Sequence, residues 1–232
     1  MPALLVISMR PTTVWANHKM DNTLAKAIID LKVPKFGPNQ KNKGDSQSCR
    51  FEPRNLLSSP DVLRLIGQRM AQVVKTRCTG HAVVGMATSG IAWAALASCY
   101  SGLPMLYLRK ALEPGVSENL LEGIPPSEGQ LILIDDLIFD GHSKRRAIAT
   151  LQQLGFRVSD VVVIIDRQLQ RKNDGPPVEK AYKLKLHSLI TMSDIVDYMS
   201  DHNEITLVQM QMLIDDYTRY ERWTMPRFAE GR

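Results

Sequence analysis

Between residues 80 and 170 apolar runs alternate with segments whose apolar positions recur at helical spacing. HAVVGMA (81–87) reads as a short buried strand running into the glycine-bearing turn ATSG (87–90), and SGIAWAALASCYSG (89–102) as a helix of small residues. PMLYLRK (104–110) is the next strand, and a long polar loop follows it from Ala111 to about Gly129. In LILIDD (131–136) an apolar strand runs straight into Asp135 and Asp136, where the reading ends it. SKRRAIATLQQLG (143–155) is a helix closing on Gly155, and VSDVVVIIDRQ (158–168) is a further strand. Continuous apolar strands separated by helices predict an α/β fold with a parallel-centred sheet covered on both faces.

The flanks are more polar. DNTLAKAIIDLKV (21–33) predicts a helix capped by Asp21 or Asn22. PKFGPNQKNKGDSQSCRFEPRN (34–55) is rich in turn residues and predicts an irregular loop or hairpin. SSPDVLRLIGQRMAQVVKTR (58–77) has a serine cap and a proline in its first turn, so it predicts a helix. Beyond the alternating region, KLKLHSL (183–189) predicts a strand, and TMSDIVDYMSDHN (191–203) and TLVQMQMLIDDYTRYERW (206–223) predict helices. The expected organisation is an N-terminal arm, helix and hood over residues 1–57, then an α/β core with C-terminal helices over 58–232.

Composition narrows the classes. At 232 residues, 44% apolar and 23% charged, the chain has an ordinary globular balance and can bury a sizeable core. No apolar run approaches the roughly 20 residues of a membrane span. MPALLVISMRPTTVW lacks a basic first segment and a small-residue cleavage site, so it reads as an arm or strand. Cys49, Cys78 and Cys99 show no metal-ligand spacing, and their odd number points to a reduced, cytoplasmic protein. The net charge of +5 suits nucleic acid or a phosphorylated small molecule. The basic residues are scattered and no nucleic-acid motif is present, which makes nucleic acid the less expected partner.

In a parallel sheet the carboxyl ends of the strands face the ligand crevice. The turn at 87–90, Arg109 with Lys110, Asp135 with Asp136, and Asp166 with Arg167 therefore meet on one edge. Paired carboxylates repel unless sugar hydroxyls or a magnesium ion offset the charge. The DGHSK segment (140–144) turns into a helix whose free N–H groups suit a phosphate. The competing reading is a solvated turn in which Asp140 or Ser143 caps the helix.

An apolar run, two acids, two apolar residues and a glycine-bearing loop into a helix resemble the phosphoribosyl-pyrophosphate motif of type I phosphoribosyltransferases, most closely orotate phosphoribosyltransferase. FG (36–37), RNLLSSPDVLRLIG (54–67), LPMLYLRK with LLEG (120–123), VSDVVVIIDRQ and LKLHSLITMSDIVDYM (184–199) extend the likeness over about residues 35 to 200. The resemblance implies transfer of a ribose 5-phosphate group from phosphoribosyl pyrophosphate to a nitrogen of a base such as orotate, with magnesium and loss of pyrophosphate. It implies that Asp135 and Asp136 contact the ribose hydroxyls directly or through metal and water, and that Phe139, Asp140, Gly141, His142 and Ser143 cradle the 5-phosphate. Thr88, Ser89 and Gly90 would line the pyrophosphate turn. Arg109 and Lys110 would neutralise the pyrophosphate, with Lys110 joining the two aspartates as a catalytic residue. Arg167 would hold the orotate carboxylate, and Lys41 or Lys43 would serve the base pocket. A homodimer is implied as well.

The chain departs from the family pattern at three places. Phe139 removes a hydroxyl from the phosphate loop, and Asp140 sets a negative charge beside a dianion, which costs a few kcal/mol when partly desolvated. His142 can donate a hydrogen bond and, if protonated, offsets Asp140. Glu113-Pro114-Gly115 stands where the mobile loop carries a cation, and one transition-state contact of that kind is worth about 2.7–4 kcal/mol. Asn42-Lys43-Gly44 replaces Lys-Ser-Gly, and Cys49-Arg50 replaces the aromatic pair on the base, while Arg54 matches. Two readings follow: a working phosphoribosyltransferase, or a weak or inactive homologue that binds a nucleotide or sugar phosphate as a regulator or partner subunit. Elsewhere, Trp93 reads as core and Trp15 and Trp223 as packing or dimer contacts. His187 reads as a satisfied histidine, LVQMQMLI (207–214) as an apolar helix face, and Lys144-Arg145-Arg146 as a solvated helix face.

Overall fold

The computed structural model describes residues 22–37, 48–109, 120–127, 129–169 and 175–218. Its centre is a sheet of strands β3 (Ala82–Met86), β4 (Met105–Leu108), β5 (Leu121–Glu122), β6 (Gln130–Ile138), β7 (Arg157–Asp166) and β8 (Lys185–Thr191). Their spatial order is β5-β4-β3-β6-β7-β8, all parallel except β5, which pairs antiparallel with β4. The chain enters at β3, adds β4 on one side, and returns to add β6 on the other. The connections leaving β3 and β6 therefore diverge, and a crevice opens at their carboxyl ends.

Side-chain alternation sorts the strands onto two cores. Val83, Ile132, Ile134, Val162 and Ile164 face a layer made by α1 (Asn22–Asp30), α2 (Pro60–Arg77), α3 (Ser89–Ser101), α6 (Met192–Asp201) and α7 (Leu207–Thr218). Val84, Leu131, Leu133, Val161 and Val163 face α4 (His142–Gln153) and the short α5 (Val178–Ala181). Helices thus cover both faces, as the apolar runs predict. Trp93 is fully buried, in line with its reading as core. Trp15 and Trp223 lie outside the described residues.

Within the 34–55 segment, β1 (Pro34–Phe36) pairs antiparallel with β2 (Cys49–Phe51). Its anchor is distant in sequence. The buried Asp216 carboxylate of α7 accepts the Ser48 N–H at 2.8 Å and the Cys49 N–H at 2.8 Å. Phe51 and the 3-10 turn Pro53–Ser58 then lead the chain across the mouth of the crevice.

One boundary differs from the sequence reading. Strand β6 does not end on the two aspartates but continues through Leu137 and Ile138, which pair with Ile165 and Asp166. The ten residues of β7 offer backbone partners that far, and Ile138 buries its side chain against α4 and α5. The acids are therefore held by sheet hydrogen bonding on both sides rather than sitting in a turn.

Candidate active site

A cleft of about 440 Å³ lies at the carboxyl ends of β3 and β6. One wall is the hood, from Phe51 to Asn55 and including Arg54; the other is Ser89, Asp135, Asp136, Leu137, Ser143 and Lys144. Both aspartates are nearly buried, 7% and 8% exposed. Two adjacent carboxylates this far from water need a cation, and the fold supplies one. Lys144 Nζ lies 2.5 Å from Asp135 Oδ2 and also donates to the Leu137 carbonyl. This corrects the expectation that residues 144–146 form a solvated face: Lys144 is 3% exposed, and Arg146 alone of the three is fully on the surface. The signal was present in the sequence. Lys144 heads the stripe Lys144, Ala147, Ile148, Leu151, the i, i+3, i+4, i+7 set that α4 buries.

Among the described residues no cation pairs directly with Asp136. Burial first, and the Asp135 charge second, push its carboxyl up to about 6, while Lys144, a hydrogen bond from Ser89 and the Leu137 N–H pull it back. The Leu137 N–H donates to Asp136 Oδ1 at 2.7 Å. At neutral pH Asp136 is thus an ionised group short of hydrogen-bond donors, facing the cleft.

Ser89 and Gly90 open α3 against β6. A Cβ on Gly90 would stand 2.5 Å from the Ile134 carbonyl oxygen and 3.1 Å from Asp135 Oδ1, so only glycine allows this approach. Gly90→Ala is expected to displace the acid pair, cost about 1–3 kcal/mol of stability and lower any turnover at least about tenfold. Chemical denaturation beside a rate measurement checks both. Thr88 precedes this helix, and its peptide bond with Ala87 is cis.

The phosphate-loop residues divide. Ser143 reaches the cleft. Gly141, with φ +81°, makes the turn into α4, where a Cβ would stand 2.4 Å from Val178 Cγ2. Asp140 Oδ1 accepts the His142 N–H at 3.0 Å within the turn before the helix, whose N-cap is Gly141 and not Asp140 or Ser143, and His142 is exposed. Phe139 packs on the larger core instead of lining the cleft. Its ring lies 4.8 Å from the Arg167 guanidinium carbon, and the Phe51 ring lies 4.7 Å from the same atom. Arg167, 5% exposed, is a cation held between two aromatic faces behind the cleft wall, while Arg54 lines the cleft itself. Arg109 pairs with Glu122 of β5 at 3.2 Å rather than standing open toward the crevice. Lys41, Asn42, Lys43, Gly44, Lys110 and Glu113-Pro114-Gly115 lie outside the described residues. The sequence reading missed Lys144 and the cleft position of Phe51. An isolated Phe beside Glu and Pro carried no signal for the latter.

No family model matches the chain. In fold the molecule is a type I phosphoribosyltransferase. It superposes on UMP synthase from Leishmania donovani with a TM-score of 0.73 at 22% identity, covering 86% of this chain and 42% of that longer one. It superposes on orotate phosphoribosyltransferase from Aeropyrum pernix with a TM-score of 0.63 at 24% identity, covering 76% and 98%. The orotate phosphoribosyltransferase of Caenorhabditis elegans is 30% identical over 181 residues, 77% of this chain and 78% of the relative. The chain belongs to the orotate phosphoribosyltransferase family.

Proposed function

We propose that this protein is a working orotate phosphoribosyltransferase, moving ribose 5-phosphate from phosphoribosyl pyrophosphate to orotate and releasing pyrophosphate. That it is a phosphoribosyl-transferring enzyme follows from its family. The observation that carries the proposal is the buried Asp135–Asp136 pair at the point where β3 and β6 diverge, beside Ser89 and the start of α4.

In this reading Asp136 accepts hydrogen bonds from the ribose hydroxyls, which supply the donors it lacks. Its negative charge also stabilises the cationic sugar as the pyrophosphate departs. Asp135, fixed by Lys144, sets the position of its neighbour. Ser143 and the N–H groups opening α4, with Gly141 and His142, receive the 5-phosphate. Thr88, Ser89 and Gly90 border the pyrophosphate side, served by Lys110 and by Arg109 once it leaves Glu122. Arg54, Lys41 and Lys43 serve the base, with Arg167 fixing Phe51 against it. Residues 1–57 act as the hood over the base, and residues 58–232 carry the sugar phosphate.

The donor set fits a magnesium ion brought in with the pyrophosphate. Asp136 offers oxygen, and Lys144 reduces the pair to roughly one net negative charge. Such an ion, when bound, neutralises the leaving pyrophosphate. The proposal includes a homodimer acting in the cytoplasm. Among the described residues no helix is long and apolar enough to cross a membrane.

A second reading, a homologue that binds but does not turn over, is favoured by one contact: Asp140 already takes the His142 N–H that a phosphate would use. Titration calorimetry with phosphoribosyl pyrophosphate and magnesium, beside loss of orotate absorbance, separates the two. Binding with turnover is expected. Binding without turnover moves the protein to the second reading, and absence of binding overturns both.

A further inference from the structure

At the opposite end of the sheet from the cleft, the fold gathers side chains that no part of the transfer reaction uses. Cys78 follows the last residue of α2, Asp160 is in the first half of β7, and His187 lies near the start of the neighbouring strand β8. One ligand-type atom from each lies within 4.8 Å of the other two. Asp160 is completely buried and His187 is 5% exposed, whereas Cys78 is a free cysteine that reaches solvent in part.

The groups around them already have the form of a held ligand set. Asp160 Oδ2 accepts the Thr79 N–H at 3.0 Å, which fixes the carboxylate plane. Asp160 Oδ1 meets His187 Nε2 at 2.9 Å. The other ring nitrogen, His187 Nδ1, is buried and has no hydrogen-bond partner among the described residues. The ring nitrogen that faces Asp160 is therefore Nε2, and Nδ1 is left free to carry the ring proton when Nε2 serves as a ligand.

We propose that Cys78, Asp160 and His187 form a binding site for a borderline-soft divalent ion, with zinc the best match, completed by a water on the open Cys78 side. The donor set decides the ion. Thiolate, imidazole and carboxylate together suit zinc, while magnesium and calcium prefer oxygen alone. A tetrahedral zinc site spaces its ligand atoms roughly 3.3–3.7 Å apart, so closure from within 4.8 Å asks for a modest swing of the partly buried Cys78 side chain. On uptake the thiol proton passes to solvent and a sulfur–metal bond replaces the S–H bond, while the ring proton of His187 moves from Nε2 to the open Nδ1 so that the metal takes the place of the Asp160–His187 hydrogen bond. Positions 78, 160 and 187 are far apart in the chain, which is why cysteine spacing alone gave no sign of the site. A bound ion would tie the edge strand β8 and the end of α2 to β7, so it is expected to act as a structural clamp.

The test uses the full chain freed of metal by chelator dialysis, titrated with cobalt and then with zinc. The expected result is one equivalent of cobalt with a thiolate charge-transfer band, displaced by zinc, and a rise in melting temperature with zinc. Cys78→Ser and His187→Gln, each checked for folding by circular dichroism, are expected to lose the band or weaken binding at least about 100-fold; Cys99→Ser keeps it. No thiolate band in the unaltered protein, or a band that survives Cys78→Ser, overturns the proposal and leaves the cluster as a hydrogen-bonded triad.

Discussion

Asp136→Asn is expected to lower turnover about 10²–10³-fold and, at the same time, to make the protein more stable near neutral pH. The carboxyl sits at about 6 in the folded chain because burial and the Asp135 charge both disfavour its ionised form. In the unfolded chain it titrates at the ordinary 3.8. The folded state therefore holds the proton more tightly, and stability from this group falls as pH rises from about 4 to about 6, then stays low. A difference of about two units corresponds to about 3 kcal/mol. Asparagine removes that cost and can still accept the Leu137 N–H through its carbonyl oxygen. It cannot stabilise a cationic sugar, and the loss of one such group lowers turnover about 10²–10³-fold. Melting curves for both proteins between about pH 4 and pH 8 give the check, because the gap between them should open across the window of the Asp136 titration. Asp160 titrates in the other sense: burial opposes its charge, but hydrogen bonds from His187, Thr79 and Ser159 hold it below the usual range. Its contribution is lost only at lower pH and cancels in the comparison. An Asn variant that is less stable than its parent at pH 8 would show that Asp136 is satisfied in the free protein.

The difference between what the chain discloses and what it hides follows the range of the interactions. The five parallel strands, their helices and the edge on which the acids lie are local matters of apolar periodicity, and the reading placed them. The end of β6 was misplaced because an Asp-Asp pair looks like a strand terminus, and only the length of β7 keeps the backbone paired beyond it. The roles of Phe139 and Phe51 were hidden for a related reason. Each ring is placed by Arg167, and no local pattern connects residues 51, 139 and 167. The departure at Phe139 then has a structural account: the ring supports a buried cation where a hydroxyl would have met the phosphate. Lys144 belongs to a third kind, legible in the helical stripe it heads but masked by the two arginines after it.

Lys144 carries the other large expected effect. Replacing it with methionine keeps the alkyl bulk and removes the cation that contacts Asp135 among the described residues, leaving two carboxylates adjacent and buried. Removing one partner of a buried ion pair costs about 3–5 kcal/mol. A proton can take the ammonium's place, so the acid pair titrates at higher pH in the variant. The deficit is therefore expected to be largest near pH 8 and to shrink toward about pH 5. Lys144→Met combined with Asp135→Asn removes both charges, and stability is expected to return close to that of the parent. Activity should not return with it, since the double variant also loses the contact that fixes Asp135 and, through it, Asp136. Urea denaturation of the parent, both single variants and the double variant at the two pH values measures the coupling directly. A single-variant loss below about 1 kcal/mol would mean that Lys144 behaves as an exposed lysine. The acid pair would then have to draw its counter-charge from the bound substrate alone.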